Sequence, residues 1–355
     1  MKKTKFVLCA IALFISMLAI AQEKVDRMPK AYGFLQMPYT ANFDQDFNLE
    51  SNTIAIQRVC FGFYGNLTED LTYRVSGDFN RRPILVDAFL DYKICDVLSI
   101  RAGQFKMPFT IESNESPLDL EIHDYGVVIK KLVGYENGVT GIGALGRDIG
   151  VMVNGTVLKG FIEYRVGVFN GNGICNRDNN NRKNVVGRVN IHPWIKTLTL
   201  TCSYQNGDYK KVEENDVTNT TTTTYGVNNR WSGGVQYKDE RFVFRSEYIG
   251  GETGRNMMVS DTVFENKPFD SNGFYAVAGY WFNLGKEGKH KLMPAFRYER
   301  FERDESEAKG AISYYTAGLF YQPIRQLNLK LNYQFVDYES GKQQHVVIAI
   351  MNFRF

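Results

Sequence analysis

The chain is poor in the residues that commit a sequence to catalysis or to metal binding. Only 4 of its 355 residues are histidine and 5 are cysteine. His123, His192, His290 and His345 stand beside no serine or cysteine motif, and a nucleophilic site needs such a neighbour. No enzyme is therefore expected. Past the first segment, Cys60, Cys95, Cys175 and Cys202 have the spacing of neither a zinc site nor a small disulfide framework. They read as free or structural thiols, with no metal and no cofactor implied. Beyond residue 21 no run of 18 apolar residues occurs, which excludes a membrane-spanning helix. An excess of basic charge is missing too. The 42 Lys and Arg exceed the 39 Asp and Glu by three, and Lys2, Lys3 and Lys5 sit in an N-terminal targeting segment. No basic face for nucleic acid follows.

That segment has a basic start, an apolar stretch from Phe6 to Ile20, and Ala19 and Ala21 placed as in an A-x-A site. It reads as a secretory signal peptide over residues 1–21, cut after Ala21. Cys9 lies mid-segment, away from the small residues of its end, so lipoprotein processing is not expected. Residues 22–30 form a short lead. They leave no room for the plug domain of an energised transporter.

What the chain has is aromatic side chains and alternation. Aromatics make up 14% of it, with 21 Tyr and 25 Phe, while 23% is charged. Secreted, aromatic-rich and without apolar helices describes an all-β transmembrane antiparallel barrel over residues 31–355. Sixteen segments alternate apolar with polar: 31–37, 53–65, 71–80, 85–94, 99–107, 147–157, 161–170, 184–192, 198–206, 230–238, 242–251, 273–282, 291–300, 312–322, 327–338 and 344–355. In the penultimate one, Leu327, Leu329, Leu331, Tyr333 and Phe335 oppose Asn328, Lys330, Asn332 and Gln334. Connections alternate in length. One set is short; the other includes 38–52, 171–183, 207–229 and 252–272, read as polar loops, with 81–84 and 339–343 as short exceptions. Short turns at one rim and long loops at the other mark an outer-membrane barrel.

One segment of the long set stands out. Pro108 ends the strand SIRAGQFKM, because proline has no N–H for a ladder, and no strand pattern returns until residue 147. A structureless stretch of that length is usually functional or disordered, and it reads as an inward-folded constriction loop over 108–146.

Sixteen strands enclose water, so the polar parity is expected to line a pore. Its charged members are Arg58, Arg74, Asp78, Asp87, Asp91, Lys93, Arg101, Asp148, Glu163, Arg165, Arg188 and Arg245, with Glu247, Arg297, Glu299 and Lys330 alike in parity. On the lipid side each would cost about 2–4 kcal/mol at the midplane. The final strand puts Val347, Ala349, Met351, Phe353 and Phe355 on one face. A terminal aromatic such as Phe355 is what barrel-assembly machinery reads, so that machinery and outer-membrane lipids are expected partners.

RAGQFKMPFTIE (101–112) resembles the signature of the phosphate-selective porin O and P family. VDAFLDYK (86–93), RDIGVMVNG (147–155), GVFNGNG (167–173) and VVGRVNI (185–191) support the resemblance. It implies a sixteen-stranded porin of the outer membrane, a homotrimer, with the loop after Met107 folded into the pore. Passive diffusion of small hydrophilic solutes or ions is the function implied, anions such as phosphate among them. Against phosphate, the loop holds Glu112, Glu115, Asp119, Glu121, Asp124 and Glu136 but only Lys130 and Lys131. Phosphate needs positive charge and several donors, so phosphate specificity is not supported. Arg101 and Lys106 are candidates for a local anion site; the alternative is that they pair with loop carboxylates and hold the loop. A non-conducting adhesion or scaffold barrel is the other reading of the fold, and a barrel enzyme the least favoured.

Overall fold

The computed structural model describes residues 26–43, 52–136, 138–195, 197–215, 220–254, 256–259, 262–264, 268–285 and 289–355. The signal peptide expected over 1–21 lies outside the described residues.

Sixteen antiparallel strands form the wall: β1 (Lys30–Asn42), β2 (Arg58–Asn66), β3 (Leu71–Asp78), β4 (Leu85–Cys95), β5 (Leu98–Lys106), β6 (Arg147–Val157), β7 (Ile162–Phe169), β8 (Asn184–Ile191), β9 (Leu198–Asn206), β10 (Arg230–Lys238), β11 (Phe242–Thr253), β12 (Phe269–Tyr280), β13 (His290–Glu302), β14 (Ala311–Ile324), β15 (Leu327–Tyr338) and β16 (Gln343–Arg354). Each pairs with its sequence neighbour, and β16 returns to β1 in a register from Phe34 opposite Arg354 to Asn42 opposite Val346. Closure leaves no unpaired edge, which hydrocarbon does not tolerate. Gly33 completes the seam: its N–H donates to Phe355 O at 3.2 Å, and Phe355 N–H donates back at 3.1 Å. Asn52–Ile54 precedes β2 and also pairs with β1.

The alternation that defines the strands gives an inside-out burial. Along β15, Asn328, Lys330 and Asn332 are at most 2% exposed, whereas Leu331 is 54% exposed and Tyr333 46%. A soluble domain does not present contiguous apolar surface on this scale. In a bilayer that face meets lipid and its aromatics sit at the headgroups.

The connections keep the expected two classes. Residues 67–70, 96–97, 158–161, 239–241 and 325–326 make tight turns at one rim, and the described parts of the longer segments lie at the other. Two of those long segments are corrected. The stretches 207–229 and 252–272, read as polar loops, contain Asp208–Asn215, Thr220–Val227, Asn256–Val259 and Thr262–Phe264, which pair into a separate four-stranded sheet. Threonine is polar yet β-branched, and the run before Gly226 follows its strand propensity.

The described residues of segment 107–146 carry no strand. The segment contains one 3-10 turn, Glu112–Asn114, and one short helix, α1 (Val127–Leu132). Phe109, Leu120, Val128 and Ile129 within it are fully buried. They pack against Phe105, Met152, Phe169, Val186, Ile249, Tyr275, Val277 and Phe301 of the wall. The inner parity is thus not uniformly polar, as alternation alone suggested. It becomes apolar where the segment rests on it.

Candidate functional site

The site starts at the end of β5. Gly103 has φ +133°, and a Cβ there would lie 2.2 Å from Ala88 O, so the strand irregularity needs glycine. Met107 N–H makes the last ladder bond, to Gly146 O at 2.9 Å, and Pro108 ends the strand. Asn114 then ties the turn by donating Nδ2 to Phe109 O (3.2 Å) and Thr110 O (3.1 Å).

From there the segment is held by charge. Glu112 is fully buried, with Oε2 2.9 Å from Arg297 Nη1 and 3.4 Å from Arg245 Nη2. Its Oε1 accepts Gly126 N–H at 2.8 Å. Arg245 also meets Glu121 Oε2 at 2.6 Å, and Arg297 meets Glu299 Oε1 at 3.0 Å. Glu247 accepts Ile111 N–H at 2.7 Å and the Tyr275 hydroxyl at 2.5 Å. Asp124 bonds Arg58 at 3.1 Å and Lys130 at 2.9 Å. Asp119 pairs with Arg354 of β16 at 2.6 Å. Lys330 of β15 donates to Leu120 O (2.7 Å) and Ile122 O (3.1 Å), and Arg188 of β8 donates to Thr110 O at 2.8 Å. Two glycines permit the fit: a Cβ on Gly126 would overlap Arg297 and Glu299, and one on Gly273 would lie 2.6 Å from Val128 of α1.

Burial around these pairs controls the loop's titration. Burial alone would raise Asp124, but Lys130 and Arg58 outweigh it and hold the carboxyl well below the usual range. Burial, assisted by Lys130, pushes His123 down to about 3, so its ring is neutral. The other histidines serve packing: His192 meets Thr199 at 3.2 Å, His290 stacks on Tyr321, and His345 lies against Tyr333 and Phe335.

These contacts revise the charge reading of the loop. Glu112, Asp119, Glu121 and Asp124 are each committed to a cation, and Glu136 lies 3.5 Å from Lys130. Glu115 alone among the loop acids has no cation within ion-pair distance among the described residues. Beside it is a cavity of about 340 Å³ lined by Arg58, Arg74, Arg101, Lys106, Arg147 and Arg165 against Asp78, Asp87 and Glu115. A second cavity, of about 240 Å³, shares Asn114, Glu115 and Arg165 with it and adds Arg188.

The remaining predicted site residues fall into three groups. Arg74 lies in the larger cavity over the rings of Tyr32 and Tyr64, at 5.2 and 6.0 Å, with no carboxylate partner among the described residues. Arg101, Asp87 and Arg165 are there too, paired with Asp91 (3.0 Å), Arg147 (2.8 Å) and Glu163 (2.7 Å) respectively. Two residues lie elsewhere. Lys93 sits at the rim, 2.7 Å from Asp96 of a tight turn, and Asp148 organises a loop by accepting Gly171 N–H at 2.5 Å. The expected pairing of Arg101 and Lys106 with loop carboxylates does not form. Arg101 takes a wall carboxylate, and Lys106 donates to the main-chain O of Glu115 at 2.6 Å and to the Tyr125 hydroxyl at 3.2 Å. Arg147, Tyr32 and Tyr64 were not singled out in the sequence. Arg147 begins its strand just after the long segment, which was the available signal.

All four described cysteines are free, with Cys60 lining the larger cavity. Phe355 is exposed and near Phe61 and Phe353, at 6.3 Å each.

Solved structures share this architecture. An anion-selective porin from Comamonas acidovorans has TM-score 0.62 at 12% identity, covering 92% of this chain and 99% of that one. Pseudomonas putida OprB gives 0.63 at 12%, with 93% and 95% covered. The trimer form of in-vitro folded OmpT, an outer-membrane protein of Vibrio cholerae, gives 0.61 at 14%, with 92% and 99% covered. No curated sequence shows significant similarity. At such identities the likeness shows the fold. The family model described as phosphate-selective porin O and P matches residues 30–355, from the first residue of β1 to the chain's last aromatic, and the chain belongs to that family of outer-membrane porins.

Proposed function

We propose that this outer-membrane channel passes small hydrophilic anions in preference to cations, and that segment 108–146 crosses its lumen and constricts it. The carrying observation is the commitment of the segment's acids to Arg58, Arg245, Arg297, Arg354 and Lys130. With Arg58 taken up by Asp124, the larger cavity keeps five further cationic side chains, Arg74, Arg101, Lys106, Arg147 and Arg165, against three carboxylates on its walls. Positive walls of low dielectric concentrate anions. Among the cations that line these two cavities, Arg74, Lys106 and Arg188 have no carboxylate partner among the described residues, and Arg101, Arg147 and Arg165 add fixed but partnered charge.

A phosphate-sized oxyanion finds charge-assisted donors on these guanidinium groups. The paired carboxylates Asp87, Asp91 and Glu163 keep the field modest, so the preference is for anions as a class. No reacting group enters this reading: solutes pass by diffusion and the chain performs no chemistry on them. The subunits assemble as a homotrimer, as the OmpT trimer does.

The test is the reversal potential of purified protein in a planar bilayer under a KCl gradient. The expected sign is that of chloride exceeding potassium permeability, with Arg74→Gln moving it toward zero. A potassium preference in the unmodified protein overturns the selectivity. Absence of conductance from folded, heat-modifiable protein overturns the channel reading for this chain.

A further inference from the structure

The two cavities beside segment 108–146 differ in kind. Among the described residues, Ile111 is the one apolar side chain lining the smaller, of about 240 Å³; Arg165, Arg188, Asn190, Thr201 and Gln236 are among its polar ones. Such walls suit a hydrated inorganic anion. The larger, of about 340 Å³, has six aromatic rings among its lining besides its cations: Tyr32, Phe34, Phe89, Phe105, Tyr125 and Tyr135. Phosphate and chloride are held by charge and by N–H or O–H donors, so rings do nothing for them. Apolar and aromatic walls with a few placed polar groups are what small organic ligands use, and 340 Å³ lies near the low end of the about 300–1,000 Å³ such sites span.

The six rings divide by exposure. Phe105, Tyr125 and Tyr135 are at most 4% exposed and belong to the core between segment and wall. Tyr32, Phe34 and Phe89 are only partly buried. Arg101 covers Phe89, its Cζ 4.3 Å from the ring centre. Tyr32 lies across Gly62, where a Cβ would come 3.0 Å from its ring, and Arg74 covers it at 5.2 Å. Phe34 follows two residues on, along the same face of β1, with no cation or second ring over it among the described residues. Seating a guanidinium by cation–π attraction accounts for Tyr32 and Phe89. It does not account for Phe34.

We infer that the larger cavity is a transit site for arene carboxylates, in which Arg74 takes the carboxylate and Phe34 the ring. This rests on the anion preference proposed above and deepens it by naming an organic class. The spacing fits. Tyr32, beneath Arg74, and Phe34 are about 7 Å apart along the strand. From a guanidinium carbon through a paired carboxylate to the centre of an attached ring is also roughly 7 Å. Arg74 has no carboxylate partner among the described residues, so an incoming carboxylate displaces none. Asp78 lies in the same row as Phe34 and Cys60, and its Oδ1 is engaged by Val59 N–H at 3.0 Å and Asn80 N–H at 3.1 Å. An aromatic pair adds about 2- to 10-fold in affinity beyond the area it buries. A site of that strength still releases its ion, which conduction requires.

The test is block of the chloride current through purified full-length protein in a planar bilayer. Potassium benzoate, cyclohexanecarboxylate and acetate are added in turn; all three carry one carboxylate. Half-blocking concentrations should rise in that order, with benzoate about 2- to 10-fold below its saturated counterpart. Phe34→Leu should bring benzoate to the level of cyclohexanecarboxylate, and Phe34→Tyr should keep the difference. Arg74→Gln should weaken all three together. The reversal potential under a KCl gradient tests the underlying reading separately. A potassium preference overturns both. A chloride preference with equal block by benzoate and acetate overturns the arene site alone, and so does a folded Phe34→Leu barrel that keeps the benzoate advantage. Should Phe34→Leu give no heat-modifiable barrel, the three-anion comparison on the unmodified protein decides the matter by the same criterion.

Discussion

Glu112 is the point at which the long segment can be cut loose without touching the hydrogen-bonded wall. Its carboxylate accepts from Arg297 at 2.9 Å, lies 3.4 Å from Arg245 and caps Gly126 N–H at 2.8 Å, with no solvent exposure. Each hydrogen bond to a charged group contributes about 1.5–3 kcal/mol. Breaking a buried pair costs about 3–5 kcal/mol because a charge is left uncompensated. Here the arginines retain Glu121 and Glu299, so Glu112→Ala should cost the lower figure, about 3 kcal/mol, and Glu112→Gln roughly half of that. The loss falls on docking of the segment, since Glu112 makes no ladder contact. Single-channel conductance and open-channel noise should rise in the order wild type, Gln, Ala. Trypsin should begin to cut after Lys130 or Lys131 in the folded alanine variant. Glu136→Ala is the control: Glu136 is half exposed and 3.5 Å from Lys130, a pair worth less than about 1 kcal/mol. Unchanged conductance and proteolysis in a folded Glu112→Ala barrel would refute the reasoning.

Docking should also weaken in acid. His123 is held near 3 when folded, below its ordinary value of about 6.5. The released state therefore binds more protons between those limits, and docking stability declines as pH falls from about 6.5 toward 3. Asp124, depressed by Lys130 and Arg58, adds a loss below about pH 4. Conductance should rise over that range, and His123→Asn should remove the component above pH 4; a flat profile from pH 7 to 4 in the unmodified protein counts against it. Deleting Phe355 should remove two seam bonds to Gly33 and lower the amount of folded barrel in the outer membrane, read by heat-modifiability. A normal yield would separate Phe355 from assembly.

The wall was legible in the sequence because each strand solves the same two-sided problem. Asn328, Lys330 and Asn332 against Leu329, Leu331 and Tyr333 can be satisfied only with lipid on one side and polar surroundings on the other. The loop's partners were not legible in the same way. Glu112 meets Arg297 across 185 positions, and nothing local in either stretch says which carboxylate a buried guanidinium will find. Counting acids in 108–146 therefore suggested an anion-repelling loop, where pairing cancels most of that charge. The apolar inner positions Tyr275 and Val277 broke the alternation in plain view, yet their meaning depended on Val128 and Ile129 packing against them. The Thr-rich external sheet was missed because polarity and strand propensity point in opposite directions for threonine.

Arg58 apart, different arginines anchor the segment and line the larger cavity, and this sets what evolution or design can change in the channel. Arg245 and Arg297 are fully buried beneath the segment, where their charge is spent on Glu112, Glu121 and Glu299. Replacing either leaves a buried carboxylate unpaired, so its first effect is on loop position and only then on ion preference. Arg74 is different: it rests on Tyr32 and Tyr64 within the larger cavity and holds no part of the segment. Altering it changes the field a passing ion meets while segment 108–146 keeps its contacts. Under the proposed reading, selectivity is tunable at Arg74 and coupled to the position of segment 108–146 at Arg245, and a variant series spanning both separates a change in ion preference from a change in pore size.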